Sequence, residues 1–494
     1  MGIVIRQSFW SSISAFVGVG IGYLNIIILM PKYLSQEEVG IVRTITSIAT
    51  LLVPFILFGM NGALAKYYPN LKSKDKKGLV NFTFMIVGAI FVTLLGVGYL
   101  CLDFLKAIFE ENAAALNTYF PEIVIMAGLI SFFTLVTSYS KSNFNISTPN
   151  IIRELLQKTL HGLLIILVGI GAIKYSGYIS GVVIIYGLIA FVLILFVRKK
   201  FGFSLGTNDI RSLTIKPEVI TLASFTLLGG VGSAIVVQVD QIMVTKYIGL
   251  TSNSIYSTAL FMALVINIPR KFVSQISIPI ITNSFHRKDY KSIDEHYKKA
   301  SVNHLLMGGF LLTVIATNLH SIYTIMPNGN LYDEGYYIVI VLGIAKLMDM
   351  TFSLNGEILY LSPYYKYTIL FVVILAITTI ISNMLMIPQF GAIGAAYATL
   401  LTYLIYNLAR FIFIKVKLNF SPFTLHTVFI ALVIATIFFV VSFIPSSGYP
   451  FVDIVIKGLM TSILYAAYLI FFKPSEEIFQ LYVQIKNAIK SYLK

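Results

Sequence analysis

Long apolar runs recur along the chain, each near the length of a membrane-crossing helix and each closed by a short polar connection. They are Phe9–Met30, Ile41–Met60, Leu79–Leu102, Pro121–Tyr139, Ile151–Ile173, Tyr178–Val197 and Ile220–Val239, then Ile255–Val273, His304–Tyr323, Tyr337–Asn355, Tyr367–Met386, Gly391–Ile414, Phe423–Phe443 and Phe451–Phe472. A helix needs roughly 20 mostly apolar residues to cross the hydrocarbon core, so the pattern predicts about fourteen transmembrane helices. Barrel strands would be about half as long and would alternate in polarity. After Pro474, Ile478, Leu481, Ile485 and Ile489 recur at helical spacing with Lys486, Lys490 and Lys494 off the stripe. That spacing predicts an amphipathic tail helix, lying on the membrane surface or packed on neighbouring loops.

Composition agrees with lipid as the main solvent. Hydrophobic residues make up 57% of the 494 and charged ones only 12%, too little polar surface to cover a water-soluble globule. Mean hydropathy is +0.86. The net charge of +15 does not point to nucleic acid, because its distribution sets topology. With the N-terminus in the cytoplasm, inner connections hold Lys66, Lys72, Lys74, Lys76, Lys77, Arg198, Lys199, Lys200, Arg211, Lys216, Arg287, Lys288, Lys291, Lys298, Lys299, Lys415, Lys417 and Lys473. The opposite side holds little beyond Lys32, Lys106, Lys174, Lys246 and Lys457. This bias places both termini in the cytoplasm. The first run is too long for a signal peptide and is expected to stay as the first span. The single cysteine, Cys101, allows no disulfide framework or cysteine metal site. The connections are too short to hide a soluble catalytic domain.

An internal repeat organises the chain. Lys32-Tyr33-Leu34 matches Lys246-Tyr247-Ile248, Thr148-Pro149 matches Ser362-Pro363, Gly177 and Ile179 match Gly391 and Ile393, and Gly18 matches Gly232, all at one offset of 214 residues. Six helices per half give both halves the same orientation, a parallel repeat of the kind found in transporters. The expected division is an N-terminal lobe (1–216, helices 1–6), a C-terminal lobe (217–418, helices 7–12), two further helices (419–473) and a cytoplasmic tail (474–494).

At these landmarks the chain resembles the polysaccharide transporter, or O-antigen flippase, family of the multidrug/oligosaccharidyl-lipid/polysaccharide (MOP) flippase superfamily. The resemblance rests on Lys32–Pro69, with its YLS turn, long helix and G-A-L-A-K-Y-Y-P ending; on Gln238–Ile280, Q-V-D-Q-I-M-V onward; and on Ile387–Thr399, IPQFGAIGAAYAT. It implies an all-α, MATE-like V-shaped fold of two pseudo-symmetric six-helix lobes around a central cavity. It also implies a bacterial inner-membrane flippase for undecaprenyl-pyrophosphate-linked oligosaccharides of O-antigen, capsule or exopolysaccharide pathways. Fold alone does not choose the cargo, since drug exporters share it.

Charged residues inside spans are costly and usually face a bundle interior or water. Arg43, Lys158, Lys346 and Arg410 are the candidate cavity cations for phosphate or acidic sugars, arginine being shaped for bidentate oxyanion contact. Plainer readings stand beside these: Lys158 pairs with Glu154 at i,i+4, Lys346 pairs with Asp349, and Arg410 snorkels to the inner surface. Asp240 and Asp349 are candidate coupling or gating carboxylates, and His161 a candidate proton relay or a hydrogen-bonded interior histidine. Arg270 and Lys271 follow Pro269 near an inner helix end, where topology alone accounts for them. Tyrosines at span ends such as Tyr23, Tyr33, Tyr67, Tyr247 and Tyr367 fit interfacial belts.

Three other functions compete, one of them a scaffold for polymer assembly, which the duplicated polar-cored bundle disfavours. A cation-coupled drug or metabolite exporter would favour carboxylates over cations in its spans. A membrane polysaccharide polymerase or glycosyltransferase would need a large outer loop or paired catalytic acids. The acidic pairs Glu110-Glu111 and Asp333-Glu334 sit in short connections without histidine nearby, and no nucleotide loop, zinc spacing or triad pattern occurs. The chain is therefore read as a non-enzyme without cofactor or metal. Expected partners are the lipid-linked oligosaccharide, membrane lipids, a polysaccharide polymerase and a chain-length regulator, with H+ or Na+ as coupling ion.

Overall fold

The computed structural model describes residues 2–100, 102–203 and 216–480. Cys101, Arg211 and the tail stripe from Leu481 to Lys494 lie outside the described residues. The described chain is helical throughout and forms two compact units, Met1–Ser254 and Ile255–Lys494.

The first unit contains α1 (Gly2–Tyr23), a π-helical segment (Leu24–Leu29), α2 (Met30–Tyr33), α3 (Gln36–Leu57), α4 (Met60–Tyr67), α5 (Ser73–Leu100) and α6 (Leu102–Ala113). It continues with α7 (Phe120–Ser142), α8 (Ser147–Ile151), a second π-helical segment (Ile152–Gln157), α9 (Lys158–Gly169), α10 (Tyr175–Phe201) and α11 (Lys216–Tyr247). Its core is a continuous aliphatic cluster in which Ile45, Ile56, Met60, Leu64, Leu79 and Leu193 are almost fully buried. The second unit takes over within α12 (Leu250–Leu264) and contains α13 (Ile268–His286), α14 (Tyr290–Ile325), α15 (Gly335–Thr351), α16 (Asn355–Leu361), α17 (Tyr367–Phe390), α18 (Ala392–Leu418), α19 (Leu425–Ser442) and α20 (Pro450–Phe472). There α14 packs Leu305 and Leu306 against Ile430, Ile434 and Tyr465 of α19 and α20.

Among the described residues, twelve helices are long and apolar enough to cross a membrane, and thirteen if α15 and α16, bent by 41° at their junction, form one span. They coincide with the spans expected from the apolar pattern. The remaining expected span, Ile151–Ile173, is the helical run of α8, the second π segment and α9, which carries Arg153, Glu154 and Lys158 in its first turns. Outward faces are oily: Ile184 and Phe191 on α10, and Leu459, Ile463 and Phe471 on α20, are all exposed. In water such patches would drive association; in a bilayer they meet acyl chains. This is a multi-pass integral membrane protein.

The duplication is visible in helix starts: α3 begins at Gln36 and α12 at Leu250, 214 residues apart. Local chemistry fixes these starts and stops. Ser35 caps α3 by accepting from the Glu38 N–H while Glu38 reaches back to the Ser35 N–H, which satisfies two otherwise orphaned donors. After α3, Gly59 turns the chain with φ +67°, a conformation that suits a residue lacking Cβ.

Packing draws its boundary later than the expected division after residue 216. The reason is α11, which lies along α3 and α4 at very short range. A Cβ on Gly59 would stand 2.0 Å from the Ala223 carbonyl oxygen, and one on Gly62 2.6 Å from the Thr226 methyl. At the other end a Cβ on Gly40 would stand 2.0 Å from the Leu250 oxygen. Thr44 sits 2.7 Å from the Thr245 hydroxyl and accepts from the Asn253 amide at 2.8 Å. Without a hydrophobic drive between helices in lipid, small residues and buried hydrogen bonds are what hold helices together.

Candidate functional site

Among the described residues, each unit carries a cluster of embedded charge. In the first, the two π segments organise it. A π turn adds one residue to a helical turn, which shifts the register of side chains and backbone groups beyond it. Asn25, inside the first segment, donates its amide to the Lys158 carbonyl at 2.8 Å, just beyond the second. Lys158 returns the contact, its Nζ donating to the Gly18 carbonyl at 2.9 Å while pairing with Glu154 at 2.7 Å. The i,i+4 ion pair read from the sequence is therefore present, and Lys158 also laces α9 to α1.

One turn on, His161 is 2.8 Å from the Tyr178 hydroxyl and stacked on that ring. Gln157 and His161 then line a cavity of about 140 Å³ together with Met30, Val42, Arg43, Thr46, Val182, Ile185 and Tyr186. An Nη of Arg43 contacts the Met30 sulfur at 3.6 Å. The structure thus brings Arg43 and His161 to one cavity and sets Lys158 against α1.

The second cluster is built on a broken span. Helix α15 stops at Thr351, Ser353 takes a positive φ of 56°, and α16 restarts at Asn355. Non-glycine residues rarely adopt that conformation. The break presents backbone and hydroxyl groups that an intact helix would consume: the Ser353 carbonyl accepts from Arg270 at 3.5 Å and its hydroxyl is 3.1 Å from His304 Nδ1. Irregular backbone at membrane depth is tolerated where protein satisfies it.

Around this break, Arg270 of α13 forms an ion pair with Asp349 of α15. The other Asp349 oxygen accepts from Asn407 of α18 at 3.0 Å, and the Asn355 amide donates to Asn407 Oδ1 at 3.1 Å. Ser274 donates to Glu357 at 2.7 Å. Lys346 donates to the Tyr403 hydroxyl at 2.8 Å and lies 4.7 Å from that ring's centre. Arg410 stands 4.2 Å over the Tyr406 ring, a cation–π contact.

Arg410 is 7% exposed, so it is enclosed by protein and does not snorkel. Within the protein, Arg410 Nε, Glu357 Oε2, Asn355 Oδ1, Tyr297 Oη and His304 Nε2 are buried without a hydrogen-bond partner. Each such atom costs about 1–3 kcal/mol, so the cluster has donor and acceptor capacity to spare. Three cations, Arg270, Lys346 and Arg410, stand with two carboxylates, Asp349 and Glu357, among amides and aromatic rings. That set suits oxyanions and hydroxyls.

Lys346, Asp349 and Arg410 thus come together as one cluster. Asp240 is a separate buried group on α11, 4% exposed. Arg270 gains a partner that no local pattern announces. Asn355, Asn407 and Tyr403 are not among the sequence candidates, although Tyr403, Asn407 and Arg410 recur at spacings of four and three on one face of an apolar helix, and Glu357 reads there only as the charge closing its span. Among the described residues no three His, Cys, Asp or Glu side chains are placed to hold a metal ion.

Known proteins share this architecture. The structure resembles the lipid II flippase MurJ in an inward-closed conformation, with a TM-score of 0.74 over 94% of this chain and 99% of that one at 17% identity. It also resembles a MATE-family multidrug resistance transporter of the MOP superfamily in an inward-facing conformation, at 0.61 over 82% and 94% with 11% identity. A MOP-superfamily transporter from Pyrococcus furiosus, described as having a binding pocket of reverse polarity, matches at 0.60 over 85% and 96% with 10% identity. At these identities the likenesses establish the fold. In sequence, two uncharacterized membrane proteins of Methanocaldococcus jannaschii are 23% identical over 436 residues (80% of this chain, 81% of that protein) and 22% identical over 435 residues (83% and 98%). Residues 4–285 match the polysaccharide biosynthesis protein family, more than half of the chain, and the protein belongs to that family.

Proposed function

We propose that this protein is a flippase that carries undecaprenyl-pyrophosphate-linked oligosaccharide repeat units across the bacterial inner membrane by alternating access, for O-antigen, capsule or exopolysaccharide synthesis. The observation that carries the reading is the second unit's buried cluster, where Arg270, Lys346 and Arg410 outnumber Asp349 and Glu357 inside membrane-length helices. A sugar hydroxyl taken unpaired into hydrocarbon costs about 2–7 kcal/mol and an unpaired ion far more. Embedded cations, amides and tyrosines lower that barrier for headgroups while the lipid tail stays in the bilayer. A carrier of drug cations would have the opposite excess.

In this reading Arg43, Lys346 and Arg410 bind cargo, with Lys158 joining them when Glu154 releases it. Asp240, Asp349 and His161 serve coupling or gating, with H+ or Na+ as the ion. Both termini face the cytoplasm, as the distribution of lysine and arginine suggests, and a polysaccharide polymerase and chain-length regulator receive the product.

The test is a gene deletion followed by analysis of lipid-linked intermediates. Complete repeat units should accumulate on the cytoplasmic face; a block before the unit is finished would indicate an enzyme instead. Arg410→Ala and Lys346→Ala should each abolish export while protein levels hold, and normal export in both would remove them from the site.

A further inference from the structure

We propose that the end of the first unit where α5 begins and α7 and α10 finish binds the headgroup of an anionic phospholipid, a phosphatidylglycerol-like phosphodiester drawn from the surrounding bilayer. The inference is independent of what the protein carries. It starts from the lipid-facing side of α10. Ile184, Leu188, Phe191 and Leu195 are exposed at spacings of four, three and four, a single helical stripe for acyl chains to cover. Three and four residues further on, the same stripe ends in Arg198 and Lys199, both exposed. The helix stops there. Gly202, with φ +65°, donates its N–H to the Arg198 carbonyl at 3.1 Å and turns the chain back.

After that turn Phe203 packs inward, its ring 5.2 Å from Phe84 and 5.3 Å from Tyr139. Beside these rings lies a pocket where Phe201, Phe203, Tyr68 and Tyr139 meet Lys76 and Lys77 of α5. Lys76 stands 5.2 Å from the centre of the Tyr68 ring, and Lys77 is exposed. Charge decides what fits. No aspartate or glutamate lines the pocket. Among the described residues, none of Lys76, Lys77, Arg198 and Lys199 is in an ion pair, whereas Lys291, Lys298 and Lys299 of the second unit each pair with a carboxylate. Asp75 precedes Lys76 but does not line the pocket. Orientation in the membrane asks only for a surplus of lysine and arginine at one side. It does not ask that they meet aromatic rings in a pocket at the end of an apolar stripe, an arrangement that takes a headgroup and its tail together. A phosphodiester brings one negative charge and oxygens that accept from ammonium groups. Phosphatidylethanolamine would set its own ammonium beside the lysines, with no carboxylate in the lining to receive it.

The experiment uses the full-length protein in dodecyl maltoside, with bound lipid counted by native mass spectrometry and thermal unfolding followed as lipid is added. Dioleoylphosphatidylglycerol should bind saturably and raise the melting temperature. Dioleoylphosphatidylethanolamine, and inorganic phosphate at matched ionic strength, should not. A lysine beside an anionic headgroup is worth about fivefold in affinity, so Lys76→Gln/Lys77→Gln should weaken phosphatidylglycerol binding about thirtyfold. Lys415→Gln/Lys417→Gln removes the same charge from two exposed lysines at the end of α18 and should leave binding nearly unchanged. Should the α5 double variant not fold, Lys77→Gln reports alone, with a loss of about fivefold.

Three results would overturn the proposal. Equal binding of phosphatidylethanolamine would show that the pocket makes no choice of an anionic lipid. A shift from inorganic phosphate as large as that from phosphatidylglycerol would show a site for free anions. The same loss from both double variants would reduce the effect to diffuse attraction by a basic surface.

Discussion

Replacing Asp349 by Leu should destabilise the protein more than replacing Asp349 and Arg270 together. The two side chains form an ion pair and retain only 11% and 20% of their exposure. Removing one member of a buried pair leaves an uncompensated charge, at a typical cost of 3–5 kcal/mol. The residual exposure of Arg270 puts this case near the lower end, about 3 kcal/mol. Asn407 also loses its acceptor, which adds about 1 kcal/mol. Asp349→Leu should therefore cost about 4 kcal/mol. In Arg270→Met/Asp349→Leu no charge is stranded, and exchanging a buried pair for packed apolar side chains is often neutral. What remains is the lost bonds to Asn407 and the Ser353 carbonyl, about 1–2 kcal/mol. The measurement is equilibrium unfolding of the four proteins in one detergent, closed as a double-mutant cycle. A double mutant as unstable as the sum of its singles would refute the claim that Asp349 neutralises Arg270.

Other outcomes follow from local geometry. Gly40→Val should weaken the first unit by at least about 1–3 kcal/mol in the same assay, because its Cβ would stand 2.0 Å from a backbone oxygen of α12 that cannot swing away. Glu154→Gln should cost no more than about 1 kcal/mol, since both members of its pair with Lys158 keep about 30% of their exposure (30% and 29%), and Lys158→Met in the same chain should recover most of it. Glu477, beyond the last span, is exposed; its slight desolvation pushes its carboxyl up, but its backbone N–H, Lys299 at 3.5 Å and the Ser475 hydroxyl outweigh this and hold it below the usual range. A depressed carboxyl stabilises docking at neutral pH and loses that contribution as pH falls through its folded value. Protease cleavage around residues 475–480 should accordingly rise on acidification in the native protein and much less in Glu477→Gln.

The fold was legible because lipid imposes a simple rule: backbone polar groups must be satisfied within each span, so every crossing becomes a long apolar helix. Runs such as Tyr367–Met386 and Phe451–Phe472 announce α17 and α20 with no knowledge of their neighbours. The duplication was legible because several landmarks recur at one offset, although the paired residues do not all share a conformation: Gly391 turns the chain with φ +69° before α18, while Gly177 lies inside α10. The site was legible only in part. Lys346, Asp349 and Arg410 stand out as charges in oil, but their partners do not. Arg270 follows Pro269 at a helix end and reads as topology, because its pairing with Asp349 joins residues 79 apart in sequence. Nothing in Leu24–Leu29 or Ile152–Gln157 marks a π turn; the two segments show themselves only in the contacts between them, Asn25 on the Lys158 carbonyl and Gly18 against Glu154.

Those interruptions bear on how one duplicated bundle yields two different sites. Helix α7 runs unbroken for 23 residues, yet its counterpart in the repeat is divided into α15 and α16 around Ser353. The first unit keeps that helix whole and instead distorts α1 and the α8–α9 run with π turns. Both devices change which backbone groups a helix keeps for itself, and both lie beside embedded charges: Lys158 and Glu154 in one unit, Arg270 and Asp349 in the other. Away from its ends, a straight apolar helix has nothing to offer an ion, since the carbonyls and amides there are already bonded within the helix. A charge in a span therefore needs an opposite charge, a polar or aromatic side chain, or a flaw in a neighbouring helix, and this protein supplies all three. Repairing the flaw should be as damaging as removing the charge. Ser353→Leu disfavours the positive φ that ends α15 and removes the hydroxyl facing His304. If it left the unfolding free energy and export unchanged, the break would be incidental to the charges around it.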